Sequence, residues 1–372
     1  MVSLLLKKAS LVNYVKLTSE GVVMSKITLL SEAIVCENKK FDLKSKIFNG
    51  GVLNSDGEVC ELSIHFKPGY INQPSTDTEK THWENAKGSW LFGGMLQNGH
   101  FGHFITESLN RLWALPHLNN INGIIFYSRY CGERNKQFIY DFLEFLAPKY
   151  EVKIITVPCQ VENLYVPEQL HCGNGFISGG ELNKKLFSNF NLACTEKLKT
   201  YDKVYITRAA LTSTEGNVVG NDKVAKLLEK QGYTTIYPEK LSLLEQVSIY
   251  KYAKKLIFDQ GSAFHMYNLF GNDEQDVYVI WRRKKVINGY LLQYRSFFNK
   301  ELNNQSHIMK QFVPAIHISN TAKFFGIPNI NDLYEDLYTL GFLDSKPTHE
   351  YLDSEAELAL LESKFGDMSE VL

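Results

Sequence analysis

Near residue 86 the spacing of apolar positions changes, and the change divides the chain. Between 1 and 85, short apolar runs (Ile27 to Leu30, Ala33 to Val35, Val59 to Phe66) alternate with turns such as Asn49-Gly50-Gly51, which predicts a small β-rich lead-in. Between 86 and 175 the pattern predicts a helix around His103 to Leu115, a strand Gly123 to Tyr127 and a helix Lys136 to Leu146. Strands near Val152 to Val157 and Leu164 to Val166 follow. Strands that alternate with helices imply a parallel sheet.

The clearest punctuation lies between 200 and 285. Val204 to Thr207 reads as a strand, Asn221 as the cap of a helix with Val224, Leu227 and Leu228 on one face, and Gly232 as its stop. Tyr233 to Ile236 is the next strand, and Ser242 with Glu245 has capping-box spacing for a helix toward Lys254. Leu256 to Phe258, the turn Gly261-Ser262-Ala263, a short helix His265 to Phe270 and a strand Val277 to Trp281 complete a βαβαβαβ run, the Rossmann pattern. Beyond 290 the chain reads as mostly helical, closing in an acidic stretch from Glu350 to Glu370 that suits a packed terminal helix and a docking tail equally. The boundaries expected are 1–85, 86–175, 176–315 and 316–372: lead-in, first Rossmann-like domain, second Rossmann-like domain and helical tail.

Composition narrows the class. With 372 residues, 44% of them hydrophobic, the chain can fill two ordinary cores. Lys plus Arg number 40 against 41 Asp plus Glu, so there is no global field for a polyanion and nucleic acid is not an expected partner. The 20 Tyr and 23 Phe would suit sugar-stacking surfaces, although an aromatic-rich core is the commoner reading. Cys36, Cys60, Cys131, Cys159, Cys172 and Cys194 nowhere show C-x-x-C spacing, so reduced structural thiols are expected. Lys7 and Lys8 interrupt the apolar start Met1 to Leu6, and no later stretch approaches the roughly 18 apolar residues of a membrane span. A cytoplasmic protein is expected, one able to meet the inner face of the membrane through its substrate.

Two constellations can carry chemistry. In Asn98-Gly99-His100-Phe101-Gly102-His103-Phe104-Ile105-Thr106-Glu107, a helix from Gly102 would put His103, Glu107 and Arg111 on one stripe and Ile105, Leu109 and Leu112 toward the core. A carboxylate beside an imidazole suits general-base work. On spacing alone, a surface Glu107 to Arg111 ion pair with a hydrogen-bonded His103 is the more ordinary reading. In Asp259-Gln260-Gly261-Ser262-Ala263, small residues after a buried strand let amides at a helix N-terminus approach a diphosphate; a plain strand-to-helix turn explains them as well. Three spaced glycines are missing there, which disfavours a nicotinamide enzyme. Arg208, at the carboxyl end of its strand, is placed to neutralise a leaving diphosphate. No Asp-x-Asp triplet is present to hold a divalent ion, so no metal or other cofactor is expected.

Taken in order, these motifs resemble those of glycosyltransferase family 61, whose bacterial members are commonly labelled capsular polysaccharide biosynthesis proteins. The family's His-aromatic pair, acid and Leu-Pro-Arg-Leu are similar to His103-Phe104, Glu107 and Leu109-Asn110-Arg111-Leu112. Its strand ending in arginine is similar to Tyr205-Ile206-Thr207-Arg208. Its Gly-Phe to Glu-Gln stretch resembles Gly232-Tyr233 through Pro238-Glu239-Lys240-Leu241-Ser242 to Glu245-Gln246. Gly261-Ser262-Ala263, with Asn268 and Phe270 beyond, stands where the family has Gly-Ala-Gly. Asn110 for proline and Ser262-Ala263 for Ala-Gly are the departures, and the likeness covers about 86 to 285.

What the resemblance implies is a GT-B-like α/β fold, two Rossmann-like domains facing a cleft. It also implies inverting, metal-independent transfer from a nucleotide-diphosphate donor, a UDP-sugar first among them. The acceptor would be a glycan or lipid-linked glycan of a bacterial surface polysaccharide. Glu107 is the expected base, with His103 as its orienter or as the alternative base. The expected nucleotide site comprises Arg208, Gln246, Asp259, Gly261, Ser262, Ala263 and His265. An inactive sugar-binding or assembly subunit of the same fold, and a nucleotide-sugar epimerase, are the competing classes.

Overall fold

The computed structural model describes residues 10–18, 21–38, 46–76, 83–131, 135–193, 201–211, 215–318, 320–348 and 352–371. The apolar start with Lys7 and Lys8, Cys194, and Glu350 at the head of the acidic stretch lie outside the described residues. Cys60, Cys159 and Cys172 are free thiols. The chain forms two units, Met1–Phe190 and Asn191–Leu372.

The first unit begins with β1 (Ser10–Thr18), β2 (Gly21–Cys36), the short β3 (Ile47–Phe48), β4 (Gly51–Leu53) and β5 (Ile71–Asn72), and the long β6 (Glu84–Leu96). A helical run follows, α1 (Phe101–His103) continuing as a π-helical turn over Phe104–Ser108. Then come β7 (Gly123–Ser128), α2 (Gln137–Leu146), β8 (Glu151–Ile155), β9 (Cys159–Pro167) and α3 (Glu181–Ala193). All six residues of β7 are buried, as a strand covered on both faces requires, and α2 buries Ile139, Phe142, Leu143 and Leu146 at helical spacing.

Seven strands make one sheet, ordered β1-β2-β9-β6-β7-β8 with β4 against β2. The contacts among β6, β7, β8 and β9 are parallel, as alternation predicted. Those of β2 with β1, β4 and β9 are antiparallel. The sheet is therefore mixed, a correction to the expected Rossmann-like first half. Strands from the first 85 residues join the same sheet as β6 to β9, because Ile27 to Ser31 pair with Pro167 to Asn163 and Ala33 to Val35 with Val161 to Cys159. Local pattern shows each strand but not a partner so distant in sequence.

In the second unit β10 (Lys203–Ile206), α4 (Asn221–Lys230), β11 (Thr234–Ile236), α5 (Leu243–Tyr252), β12 (Lys255–Asp259), α6 (Ser262–Phe270) and β13 (Asp276–Ile280) follow the expected alternation. Their four strands form an all-parallel sheet ordered β11-β10-β12-β13. Ser242 and Glu245 close the capping box of α5 reciprocally. Gly232, at φ 83°, takes the left-handed position just past α4 that any side chain would strain. The cap of α4 is Gly220 rather than Asn221, which is the first helical residue and turns its amide toward Asp259, 3.5 Å away.

Residues beyond 285 form α7 (Asn288–Phe298), β14 (Ile308–Pro314), β15 (Phe325–Pro328), α8 (Ile330–Thr339), α9 (Ser354–Phe365) and β16 (Met368–Glu370). The tail expected to be helical thus carries a three-stranded antiparallel sheet, ordered β15-β14-β16. Its strands are short, and Phe312 pairs with Glu370 across a separation that no local window spans. Leu333, Tyr334, Leu337 and Leu361 pack into one core with Tyr205, Leu228 and Ile257, so α8 and α9 are parts of the second unit's interior.

Candidate functional site

The helical run after β6 starts where His100 Nδ1 accepts the amide of Gly102 at 3.1 Å, capping α1. Thr106 Oγ1 then donates to the Gly102 carbonyl at 2.9 Å, a side-chain competitor for the helical ladder, and the run widens into its π-helical turn. His103 and Glu107 remain neighbours, with Nδ1 2.6 Å from Oε1. The stripe ends there. Arg111, beyond the π turn, is buried and donates to the carbonyls of Leu62, Ile64 and Pro167. A Glu107 to Arg111 ion pair does not form.

Glu107 instead collects partners from two other segments. Lys67 Nζ lies 2.9 Å from both carboxylate oxygens, and Gln97 Nε2 donates to Oε2 at 2.5 Å. Gln97 is itself held by Arg129, which donates to its Oε1 at 2.8 Å. With His103 included, the four lone-pair positions of the carboxylate are taken. Its side chain is 2% exposed, whereas that of His103 is 47% exposed. Nε2 of His103 has no hydrogen-bond partner among the described residues. Beside them Phe66, 42% exposed, stacks on His171 with ring centroids 4.3 Å apart, and its backbone is gripped in both directions by the Gln169 amide.

Burial by itself would raise the Glu107 carboxyl, but the His103 hydrogen bond and the Lys67 charge outweigh it and hold the group well below the usual carboxylate range. His65, whose Nε2 sits 4.0 Å from Glu107 without a hydrogen bond, is pushed down to about 3, chiefly by burial. Both shifts act on stability with one sign. Between pH 6.5 and about 3 the unfolded chain protonates His65 and the folded one does not, so stability falls as pH falls. Glu107 adds stability above the carboxylate range and loses it on acidification. Calorimetry from pH 7 to pH 4.5 should show His65→Gln escaping about 5–10 °C of the wild-type fall in melting temperature. Equal falls in both proteins would show that His65 does not stay neutral.

In the second unit, Asp259 ends β12 with its carboxylate buried. It accepts from Tyr205 Oη and Thr207 Oγ1 at 2.8 Å each and from the Arg208 amide at 2.9 Å. Burial pushes this carboxyl up against those bonds. Its role is to fasten the end of β10 to the end of β12, which fixes where Arg208 leaves the sheet. The Arg208 guanidinium donates to the carbonyls of Glu215 and Gly216 at 3.1 and 3.4 Å.

Gly261 caps α6, with Ser262 and Ala263 as the first helical residues. A β-carbon at Gly261 would stand 2.8 Å from one terminal nitrogen of Arg208, so glycine is what lets guanidinium and helix N-terminus approach. Gly261→Ala should leave the fold intact, since the crowded atom is the end of a flexible side chain. It should weaken nucleotide binding about tenfold by displacing that guanidinium. Unchanged affinity by titration calorimetry would remove the contact from the site.

Two residues that the sequence reading missed complete the group. Arg282 and Arg283 follow β13, and each bears on the charge of Arg208. Arg282 is pushed down to about 9, first by burial and then by its two arginine neighbours; burial pulls Arg283 down as well. The Nε atoms of Arg208, Arg282 and Arg283 are buried without hydrogen-bond partners. Among the described residues none of the three forms a salt bridge. Arginines at the carboxyl end of a parallel strand are a signal that applied to Arg282 as much as to Arg208.

The other expected nucleotide residues divide. His265 is buried, with Nδ1 2.7 Å from Gln293 Oε1 and its ring against Tyr290, which lies among the same arginines. Gln246 donates to the carbonyls of Pro238 and Leu241, at 3.0 and 3.2 Å, and so holds the turn before α5.

Comparison with known proteins matches residues 101–270 to the family described as Glycosyltransferase 61. The matched span includes His103, Glu107, Arg208, Asp259 and the Gly261 turn, which bears out the resemblance read from the motifs and with it a glycosyltransferase. No curated protein matches the chain.

Proposed function

We propose that this member of glycosyltransferase family 61 moves a sugar, with inversion, from a nucleotide-diphosphate donor to a glycan or lipid-linked glycan hydroxyl. The observation that carries the reading is the arginine group at the N-terminus of α6. Three guanidiniums with unpaired buried Nε atoms are costly unless a dense anion completes them, and a diphosphate supplies that charge. Charge on the leaving diphosphate grows as the glycosidic bond breaks, so fixed donors there favour the transition state. Arg208, Arg282, Arg283 and the amides after Gly261 are the proposed leaving-group contacts.

Inversion by a single displacement needs one base for the acceptor hydroxyl. We assign that role to His103, the alternative base of the sequence reading, with Glu107 positioning it. A carboxylate already accepting from His103, Lys67 and Gln97 has no lone pair to offer a hydroxyl. Bound at Nδ1 to that carboxylate, the imidazole carries its proton there and presents the Nε2 lone pair. In the transfer the acceptor oxygen bonds to the anomeric carbon, its proton passes to Nε2, and the nucleoside diphosphate departs with the electron pair of the broken bond. The exposed Phe66 and His171 stack offers a face for an acceptor sugar ring.

A GT-B-like architecture, a UDP-sugar donor and a role in bacterial surface polysaccharide are supported by the family resemblance. Among the described residues no helix is long and apolar enough to cross a membrane. Action at the inner membrane face is proposed on the nature of a lipid-linked acceptor.

The test begins with a panel of nucleotide sugars in a thermal-shift assay, where the donor should raise the melting temperature by binding only the folded state. No shift with any of them would count against the donor site. With the donor in hand, transfer should persist in excess EDTA, because the arginines supply the positive charge. Complete loss in EDTA, restored by magnesium or manganese, would contradict a metal-independent site.

A further inference from the structure

A cavity of about 720 Å³ lies within the second unit, and Arg208 is one of its lining residues. Its wall includes one face of α9: Glu357, Leu360, Leu361, Lys364 and Phe365, spaced as successive turns of one helix side. That face has two duties. Leu361 is buried in the core and Phe365 packs on Phe325 with ring centroids 5.0 Å apart, while Leu360 is 49% exposed. Leu211, after β10, lines the same cavity and is also exposed. The site therefore combines apolar walls, a guanidinium from the proposed diphosphate site, the carboxylates of Asp222 and Glu357, and the Lys364 ammonium.

We propose that this cavity takes the nucleoside of the donor, making the C-terminal helix part of the donor site; the inference rests on the reading of Arg208 as a diphosphate contact. A nucleoside diphosphate matches the lining in each respect. Its flat base covers the exposed leucines, its ribose hydroxyls and ring N–H groups suit the Glu357 carboxylate, and its charged end requires Arg208. A free lipid chain would leave the charged side chains of Arg208, Asp222, Glu357 and Lys364 unanswered, and a bare pyrophosphate would leave the apolar walls wet. The acidic C-terminal segment thereby acquires a function in donor recognition.

Titration calorimetry tests this with UDP, GDP, CDP, ADP and inorganic pyrophosphate against wild type, Ala210→Trp and Leu360→Ala. Ala210 lines the cavity, so tryptophan fills it; Leu360 is exposed, so its truncation leaves the core alone. In the wild type the best nucleoside diphosphate should bind about tenfold or more tightly than pyrophosphate. Ala210→Trp should erase that advantage and Leu360→Ala reduce it roughly threefold, with pyrophosphate unchanged in both. If nucleotide affinity is unaltered in both variants, the nucleoside sits elsewhere and the inference is overturned while the donor site stands. If pyrophosphate falls in parallel with the nucleotide in Leu360→Ala, the lesion is general and the inference is likewise overturned. A wild-type protein that binds neither nucleotide nor pyrophosphate would refute the donor reading itself, and this inference with it.

Discussion

His103→Ala should slow glycosyl transfer by about 100- to 10,000-fold while donor affinity stays at the wild-type value. The imidazole is the exposed member of the pair and the one with a ring nitrogen to spare, so its removal deletes the base without disturbing the second unit. Glu107→Gln should be of similar size for a different reason. A neutral amide neither fixes the Nδ1–H tautomer nor stabilises the imidazolium formed as the proton arrives, and losses near 10,000-fold follow from such changes elsewhere. The two variants separate on the pH profile. Glu107→Gln should move the acidic limb of the rate, on which the base is lost to protonation; His103→Ala should abolish that limb. A correctly folded His103→Ala with near-normal turnover would return the base role to Glu107, and a Glu107→Gln profile identical to wild type would make that residue structural.

Arg208→Ala is expected to weaken nucleoside diphosphate binding by about 10- to 100-fold, the size of a lost charge-assisted hydrogen bond in a partly buried site. Transfer should fall further than binding, since the charge it meets is greatest as the bond breaks. Lysine should rescue partially, restoring the charge without the planar fork. Loss of Asp259 contacts does not complicate this variant, because Asp259 holds the backbone amide of residue 208 and not its guanidinium. Equal affinity in wild type and Arg208→Ala would take the arginine out of the site.

The second unit was largely legible because its elements are local. The strand carrying Tyr205 to Arg208, the Ser242 and Glu245 capping box and the turn at Gly261 each announce themselves within a dozen residues. The Glu107 environment was not, for the opposite reason. Lys67, Gln97 and Arg129 come from segments separated in the chain, and only packing shows that the first two satisfy one carboxylate while Arg129 holds Gln97. That packing is the ground on which we propose His103, the alternative base of the sequence reading, as the base and Glu107 as its positioner. Arg111 was misread because the π-helical turn breaks the i, i+4 rule on which its stripe depended. The strands β14 and β16 escaped because their pairing is as non-local as it is short.

The central claim is transfer of a sugar with release of a nucleoside diphosphate, and the most direct measurement counts both products in one reaction. Donor and acceptor are incubated with the protein, the diphosphate is quantified, and the lengthened glycan is weighed by mass spectrometry. One diphosphate should appear for each sugar added, and both should vanish with His103→Ala. Diphosphate released with no glycan lengthened, an altered donor sugar with no diphosphate released, or binding with neither product would contradict the account.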